Sequence, residues 1–181
     1  MEVSIRKMED REEEYGLLLE WLNNPEVMEY YSTRPKTLQA VKDKYRPRVL
    51  NNKTFFTLII ESDKNPVGYI QYYPVEDEEE YCLSQFKEVM EPFSKPYAID
   101  IFIGAEGGIG KGIGTKSIKL TIDKIFQDTN CDVILIDPNA LNRRAVRCYE
   151  KAGFKTIGIM KEHDLHKGKY TDSVLMGIFK Y

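Results

Sequence analysis

Apolar and polar positions change period several times along this chain, and each change marks an element. Residues 3–7 read as a first strand. Beyond them Tyr15, Leu18, Leu19 and Leu22 recur at helical spacing, predicting a helix through residue 21 that Asp10-Arg11-Glu12-Glu13 would open as a capping box. Asn24-Pro25 breaks it. Further helical stretches follow over residues 25–31 and 37–50, the second interrupted or kinked at Pro47. Residues 55–61 and 67–73 are apolar or β-branched runs joined by Ser62-Asp63-Lys64-Asn65-Pro66, whose turn chemistry predicts a hairpin.

The second half repeats strand and helix more regularly. Residues 75–96 are polar, acidic and proline-containing, which predicts a long loop with a short helix around residues 83–90; long loops inside compact domains are often functional. Residues 97–103 form a fourth strand, residues 112–127 the main helix with Ile118, Ile122, Ile125 and Phe126 inward, and residues 132–136 a fifth strand. A helix over residues 143–152 and two antiparallel strands over residues 155–160 and 170–179, linked through residues 162–169, close the chain. This order predicts an α/β (α+β) fold, a mixed sheet carrying helices on its faces.

One loop carries candidate chemistry. Gly108-Ile109-Gly110-Lys111-Gly112-Ile113-Gly114-Thr115 is a glycine-rich turn feeding directly into a helix. Glycine reaches positive φ and allows close approach, and the helix start adds main-chain N–H donors and the positive end of its dipole, so the segment suits a phosphate group. It lacks the Gly-Lys-Ser/Thr ending of a nucleotide-triphosphate loop. A dinucleotide fingerprint is set aside by its late position and the strand-rich first half, although Asp137 lies near the required spacing, and it stays a minor alternative. Downstream, Asn142 is a good N-cap, Val146, Tyr149 and Ala152 share one helical face, and Gly153 suits a left-handed helix end. By spacing alone Tyr149 reads as a core aromatic.

Composition narrows the classes. At 181 residues the chain is the size of one domain, residues 1–181. Cys82, Cys131 and Cys148 form no Cys-x-x-Cys pair, so neither a disulfide framework nor a zinc site is expected and a reducing cytoplasm fits. Two histidines, His163 and His166, placed in a terminal hairpin turn beside Glu162 and Asp164, supply no metal set either. No run approaches the roughly 20 apolar residues of a membrane span, and a net charge of −3 argues against a nucleic-acid partner. Oligomeric state is left open. The distribution of charge says more: Glu76-Asp77-Glu78-Glu79-Glu80 is an acidic run, read first as a solvated loop, while Lys111, Lys116, Arg143, Arg144, Arg147 and Lys151 surround the phosphate-binding candidates.

The order of strand, Gly112-Ile113-Gly114-Thr115 turn, helix, strand, then Asn142-x-Arg144-Ala145-x-x-x-Tyr149-Glu150-Lys151-Ala152-Gly153-Phe154 resembles the GNAT superfamily of acyl-CoA-dependent N-acetyltransferases. Within it the chain is similar to the aminoglycoside 6'-N-acetyltransferases. Pro66-Val67-Gly68-Tyr69-Ile70-Gln71, Ile99-Asp100-Ile101-Phe102-Ile103-Gly104, Asp137-Pro138 and Glu162-His163-Asp164-Leu165-His166 carry the resemblance over most of the chain.

The resemblance implies a mixed, mostly antiparallel sheet whose fourth and fifth strands are parallel neighbours that splay apart, with the pantetheine arm of acetyl-CoA in the gap. It implies acetyl transfer to an amine by direct attack in a ternary complex, without a metal. Asp100 matches the catalytic acid that accepts the amine proton or positions the ammonium, and Tyr149 the tyrosine that protonates or stabilises the leaving thiolate. A main-chain N–H of Ile101 or Phe102 would polarise the carbonyl. Acetyl-CoA would be held by Ile101, Phe102, Ile103, Gly110, Lys111, Gly112, Ile113, Gly114, Thr115, Asn142, Ala145 and Tyr149. The acceptor, a cationic amine such as an aminoglycoside, would meet Asp100, Asp137, Gln71, Tyr69, Trp21 and Glu80, with Tyr30 and Tyr31 as further wall candidates. Asp137 reads equally as an Asp-Pro turn or cap. The chain departs from the superfamily pattern at Ile109, where many members carry Arg or Gln, and in the loop before the fourth strand. The acceptor therefore stays open to another amine (a polyamine, a siderophore precursor or a protein N-terminus), and a non-catalytic CoA-binding module is the alternative from another class.

Overall fold

The computed structural model describes residues 1–30, 35, 37–51 and 53–180. Tyr31 lies outside the described residues. The strands are β1 (Val3–Lys7), β2 (Phe56–Ser62), β3 (Asn65–Pro74), β4 (Pro96–Ile103), β5 (Val133–Ile136), β6 (Lys155–His166) and β7 (Lys169–Phe179). They form a seven-stranded sheet in the order β1-β2-β3-β4-β5-β7-β6, with β4 and β5 parallel and every other pair antiparallel. The helices are α1 (Glu12–Trp21), α2 (Pro25–Met28), α3 (Leu38–Leu50), α4 (Lys87–Met90), α5 (Ile113–Asp128) and α6 (Arg143–Ala152).

Strand alternation sends side chains to two layers. Ile99, with Ile101 and Ile103 packed alongside, joins Ile113, Ile118, Ile122 and Ile125 of α5 and Tyr149 and Ala152 of α6 in one core. On the opposite face Phe102 and Tyr69 pack with Tyr15, Leu18 and Trp21 of α1 and Val41, Tyr45 and Val49 of α3. Helices thus cover both faces, as expected.

The parallel pair is short. Only Pro96, Tyr97 and Ala98 pair with Val133, Ile134 and Leu135, so β4 runs on alone from Ile99 to Ile103 and the strands diverge. Parity in β4 follows from two flanking bonds: Gly104 N–H donates to Val67 O and Val75 N–H to Pro96 O, both at 2.9 Å. Even-numbered residues therefore turn their main-chain groups to β3, and Ile99, Ile101 and Ile103 turn theirs toward the gap.

Several local expectations are corrected. Helix α1 starts at Glu12 behind Arg11, with no side-chain cap. The Asp10 carboxylate is taken instead by Arg46 at 3.0 Å and the Tyr15 hydroxyl at 2.8 Å, and the Glu14 side chain accepts the Glu9 N–H at 2.7 Å. Helix α2 ends at Met28 rather than residue 31, and α3 runs through Pro47, which sits in its last turn. The β6–β7 ladder does not stop at residue 160 but continues to His166 and Lys169, closed by Lys167 and Gly168 at φ 49 and 79. A bulge with Glu162 at φ 50, whose N–H donates to Asp172 at 3.0 Å, absorbs the extra residues and lets pairing resume. Both histidines consequently stand on a strand.

Candidate active site

Two cavities meet where β4 and β5 part. The first, 440 Å³, is lined by Ile101, Phe102 and Ile103, by Gly108 to Gly110, Gly112, Gly114 and Thr115, and by Asn142, Ala145, Cys148 and Tyr149 of the α6 region. The second, 500 Å³, lies on the α3 side and holds Gln71, Glu80, Asp100, Asp137, His163 and Asp164. Tyr30, Ile101, Phe102, Asn142, Ala145 and Tyr149 line both.

The first cavity is built by glycine conformations and a bare helix end. Gly107, Gly110 and Gly112 hold φ of 65, 83 and 80, and Gly112 caps α5 without a side-chain hydrogen bond. The first intrahelical bond of α5 is Lys116 N–H to Gly112 O, which leaves the N–H groups of Ile113, Gly114 and Thr115 free of intrahelical partners. Together they form an anion cradle at the positive end of a sixteen-residue helix. Arg144, Arg147 and Lys151 add positive charge along the same wall. Lys111 is exposed outside the lining, and the Ile113 side chain is buried in the core, so at those two positions only main-chain groups are placed to contribute.

Across this cavity, Asn142 caps α6 by accepting the Ala145 N–H at 3.1 Å, leaving its Nδ2 to the cleft. Gly153, at φ 112, ends the helix, and Phe154 N–H donates back to Tyr149 O at 3.1 Å. This anchors the turn that carries Tyr149, whose ring packs in the core at 6.2 Å from Phe154. Among the described residues its hydroxyl has no hydrogen-bond partner, yet it is not an orphaned buried atom, because it opens on both cavities. Burial first, then Cys148, Asp137 and Asp100, pushes its pKa well above the ordinary value, so it remains a neutral O–H donor.

The second cavity is dominated by carboxylates. Asp100 stands opposite Gln71 in the β3–β4 register, and their side chains share a face. Gln71 Nε2 donates to Asp100 Oδ2 at 2.6 Å, while Gln71 Oε1 accepts from the Tyr69 hydroxyl at 2.7 Å and from Arg48 at 3.2 Å. Burial pushes the Asp100 carboxyl up, opposed by the Gln71 bond, Arg48, the Tyr73 hydroxyl and Lys44. Asp137, just past β5, is pushed up to about 8 by burial and then by Asp100, Glu80 and Asp164. Its carboxylate lies 3.7 Å from His163 Nδ1. His163 Nε2 lies 2.7 Å from the Glu80 carbonyl, which fastens the acidic loop to β6. Glu80 is raised by burial and by Asp100 and Asp77.

Asp100, Gln71, Tyr69, Glu80 and Asp137 thus converge on one cavity, and Tyr149 reaches it from the other. Trp21 does not. It is 2% exposed with its ring edge-on to Phe102 at 6.3 Å, and its indole fills the space where Gly104 has no Cβ. Tyr73 and Arg48 line the cavity without having been singled out in the sequence, and so do His163 and Asp164, which the sequence marks only as part of the stretch that carries the resemblance. Tyr73 continues the alternation of Tyr69 and Gln71, and Arg48 lies three residues beyond Tyr45 on α3, so periodicity carried a signal for both. No such signal marks His163, because its place depends on the β6 bulge.

A splayed parallel pair, a glycine-lined helix start and a tyrosine at the gap are the architecture of an acyl-transfer fold, and a model of the acetyltransferase (GNAT) domain matches residues 10–162. The chain belongs to the GNAT N-acetyltransferase family. It is 32% identical over 165 residues to the aminoglycoside N(6')-acetyltransferase type 1 of Klebsiella pneumoniae, spanning 90% of this chain and 78% of that one. The crystal structure of aminoglycoside acetyltransferase AAC(6')-Ib in complex with coenzyme A matches with TM-score 0.75 and 30% identity, over 99% of this chain and 95% of that one. A Vibrio cholerae spermidine N-acetyltransferase solved with CoA and spermine matches in fold alone, with TM-score 0.77 and 20% identity over 98% of this chain and 95% of that one. Among the described residues no helix is long and apolar enough to cross a membrane.

Proposed function

We propose that this protein is an aminoglycoside 6'-N-acetyltransferase that uses acetyl-CoA. The carrying observation is the junction of two chemically opposite cavities at the β4–β5 gap, one an anion cradle and the other walled by Glu80, Asp100, Asp137 and Asp164. The first suits a pyrophosphate, and the second a polycation whose several amines need several carboxylates. Relatives that act on aminoglycosides at 32% identity support this acceptor.

Acetyl-CoA, when bound, supplies the activated acyl group. The N–H groups at the start of α5 and the Asn142 amide hold it, and Ile101 N–H, turned to the gap by strand parity, polarises the carbonyl oxygen as charge builds there. Phe102 N–H faces β3 in the register, which supports Ile101 as the donor of the two. Asp100 accepts the proton that the acceptor ammonium must lose, directly or through water. Tyr149 donates a hydrogen bond to the leaving sulfur. Its burial keeps it a neutral O–H, which supports stabilisation or protonation of the thiolate from that hydroxyl.

Purified protein mixed with acetyl-CoA and kanamycin should release free thiol and yield the 6'-acetylated product by mass spectrometry. Spermidine in parallel tests the runner-up acceptor, since the same carboxylates would hold a linear polyamine. Turnover with spermidine and with none of several 6'-amino aminoglycosides would move the assignment to polyamines.

A further inference from the structure

Helix α3 brings one group into the acceptor cavity that no step above uses. Arg48 lies with its guanidinium 4.9 Å from the Phe55 ring centre and 5.5 Å from that of Tyr45, and its Nη1 donates to Gln71 Oε1 at 3.2 Å. A cation held in a pocket for cations opposes binding, so its presence calls for another task.

We propose that Arg48 is a positioning residue: it locks the Gln71 side-chain amide in the one orientation that presents Nε2–H to Asp100. A guanidinium has donors and no acceptor, so only the oxygen of the amide can face it. With Oε1 committed to Arg48, Nε2 must face Asp100, where it lies 2.6 Å from Oδ2. The Tyr69 hydroxyl, 2.7 Å from Oε1, cannot enforce this, because a hydroxyl both donates and accepts and would follow a flipped amide. An NH2 group hydrogen-bonds a carboxylate but offers nothing to the proton of a carboxylic acid. A flipped amide would present Oε1 and accept that proton. Arg48 thereby withholds an acceptor from the protonated form of Asp100 and adds a positive charge that favours the ionised one.

The other groups around Asp100 do not duplicate this lock. Lys44, on the same helix, acts on Asp100 through charge and makes no bond to Gln71. Glu80 and Asp137, from the loop and the end of β5, make no bond to Gln71 and are themselves raised by burial and by the charge on Asp100. Tyr45, Tyr73, Tyr81 and Tyr149 are all raised by burial and stay neutral. His163 and Asp164 on β6 face Asp137 and Asn139.

This inference rests on Asp100 as the proton acceptor, but its central test needs no acceptor molecule. In protein carrying 13C at aspartate side-chain carboxyls, the Asp100 signal is the one missing from Asp100→Asn. Arg48→Gln, which can accept from a flipped NH2, should raise the Asp100 midpoint by about one pH unit, a tenfold gain in proton affinity. Arg48→Lys, still donor-only, should fall between it and the wild type. In the wild type, the Gln71 side-chain amide protons, identified by their loss in Gln71→Leu, should shift with the Asp100 midpoint, which keeps the test open if Arg48→Gln does not fold. An unmoved midpoint in folded Arg48→Gln, or Gln71 protons blind to the titration, would overturn the lock. In the kinetic arm the acidic limb of kcat/KM should move up with the NMR midpoint. Failure of the wild type to acetylate aminoglycosides would remove the acceptor assignment and leave the titration to decide on Arg48.

Discussion

Asp137 gives the sharpest quantitative handle on the acidic wall. Burial and three neighbouring carboxylates hold it at about 8, against 3.8 for an unperturbed aspartate. Between those values the folded chain keeps a proton that the unfolded chain has released, so stability falls as pH rises from about 4 to about 8 and then levels off. Taken whole, a shift of that size corresponds to about 6 kcal/mol. The side chain is 27% exposed and its neighbours titrate with it, so on the order of 2 kcal/mol is the contribution expected to survive screening. Asp137→Asn keeps the shape of the protonated form and cannot ionise. Its urea and thermal unfolding curves should therefore gain on the wild type with rising pH. The gap should widen by roughly 4 to 8 °C in Tm between about pH 5 and pH 8, for a chain of this size. A polycationic ligand should restore the wild type more than the variant at the higher pH. Parallel stability curves for the two proteins would show that Asp137 is not held protonated, and the repulsion argument would fail with it.

Gly112→Ala meets no atom within 4 Å of its new Cβ, so its cost is the left-handed backbone at φ 80, about 1–2 kcal/mol, and a tilted cradle. Calorimetry should show CoA affinity falling about tenfold, whereas an unchanged Kd would remove the α5 start from the binding site. Gly104→Ala would bring Cβ to 2.0 Å from Trp21 Cγ and should lower stability by about 1–3 kcal/mol with both KM values unchanged. A KM change at native stability would return Trp21 to the acceptor wall. Asp100→Asn should lower turnover about a hundredfold or more with CoA binding intact, and Tyr149→Phe should slow thiol release with little loss of stability. Wild-type turnover in either would reduce that residue to a packing role.

Much of this arrangement was legible in the sequence, and the misses have physical causes. Strands β4 and β5 and helices α5 and α6 are bounded by strong local signals: isoleucine runs, the glycine turn, the Asn142 cap and the Gly153 end. Expectation and structure differ there by a residue or so. The splay itself came from resemblance, because pairing that stops after Ala98 leaves no mark in local periodicity. The acceptor cavity was harder to read, since it gathers side chains from α3, β3, the acidic loop, β5 and β6. Trp21 illustrates the difficulty: it lies near the cavity in sequence logic, but Gly104 leaves a notch that buries it. His163 fails in the other direction, being hidden by a bulge whose position only the β7 register reveals.

The acidic wall poses a conflict that the proposed reaction must resolve. Carboxylates that attract a polycation also stabilise its ammonium groups, and an amine that stays protonated cannot attack. Placement divides the two tasks. Asp137, Glu80 and Asp164 lie on the loop, β5 and β6 side of the cavity, where holding cations is useful and no bond is made. Asp100 stands on β4 beyond the last β4–β5 pair, beside the gap that Tyr149 also lines. Only there do a donor-only amide, Arg48 and Lys44 counter the burial that raises a carboxyl. A cation seated among the outer carboxylates relieves the repulsion that Asp100 exerts on Glu80 and Asp137, so filling those subsites lets the outer wall ionise. An acceptor lacking the outer amines should then lose affinity, because it leaves that repulsion in place and the outer wall protonated.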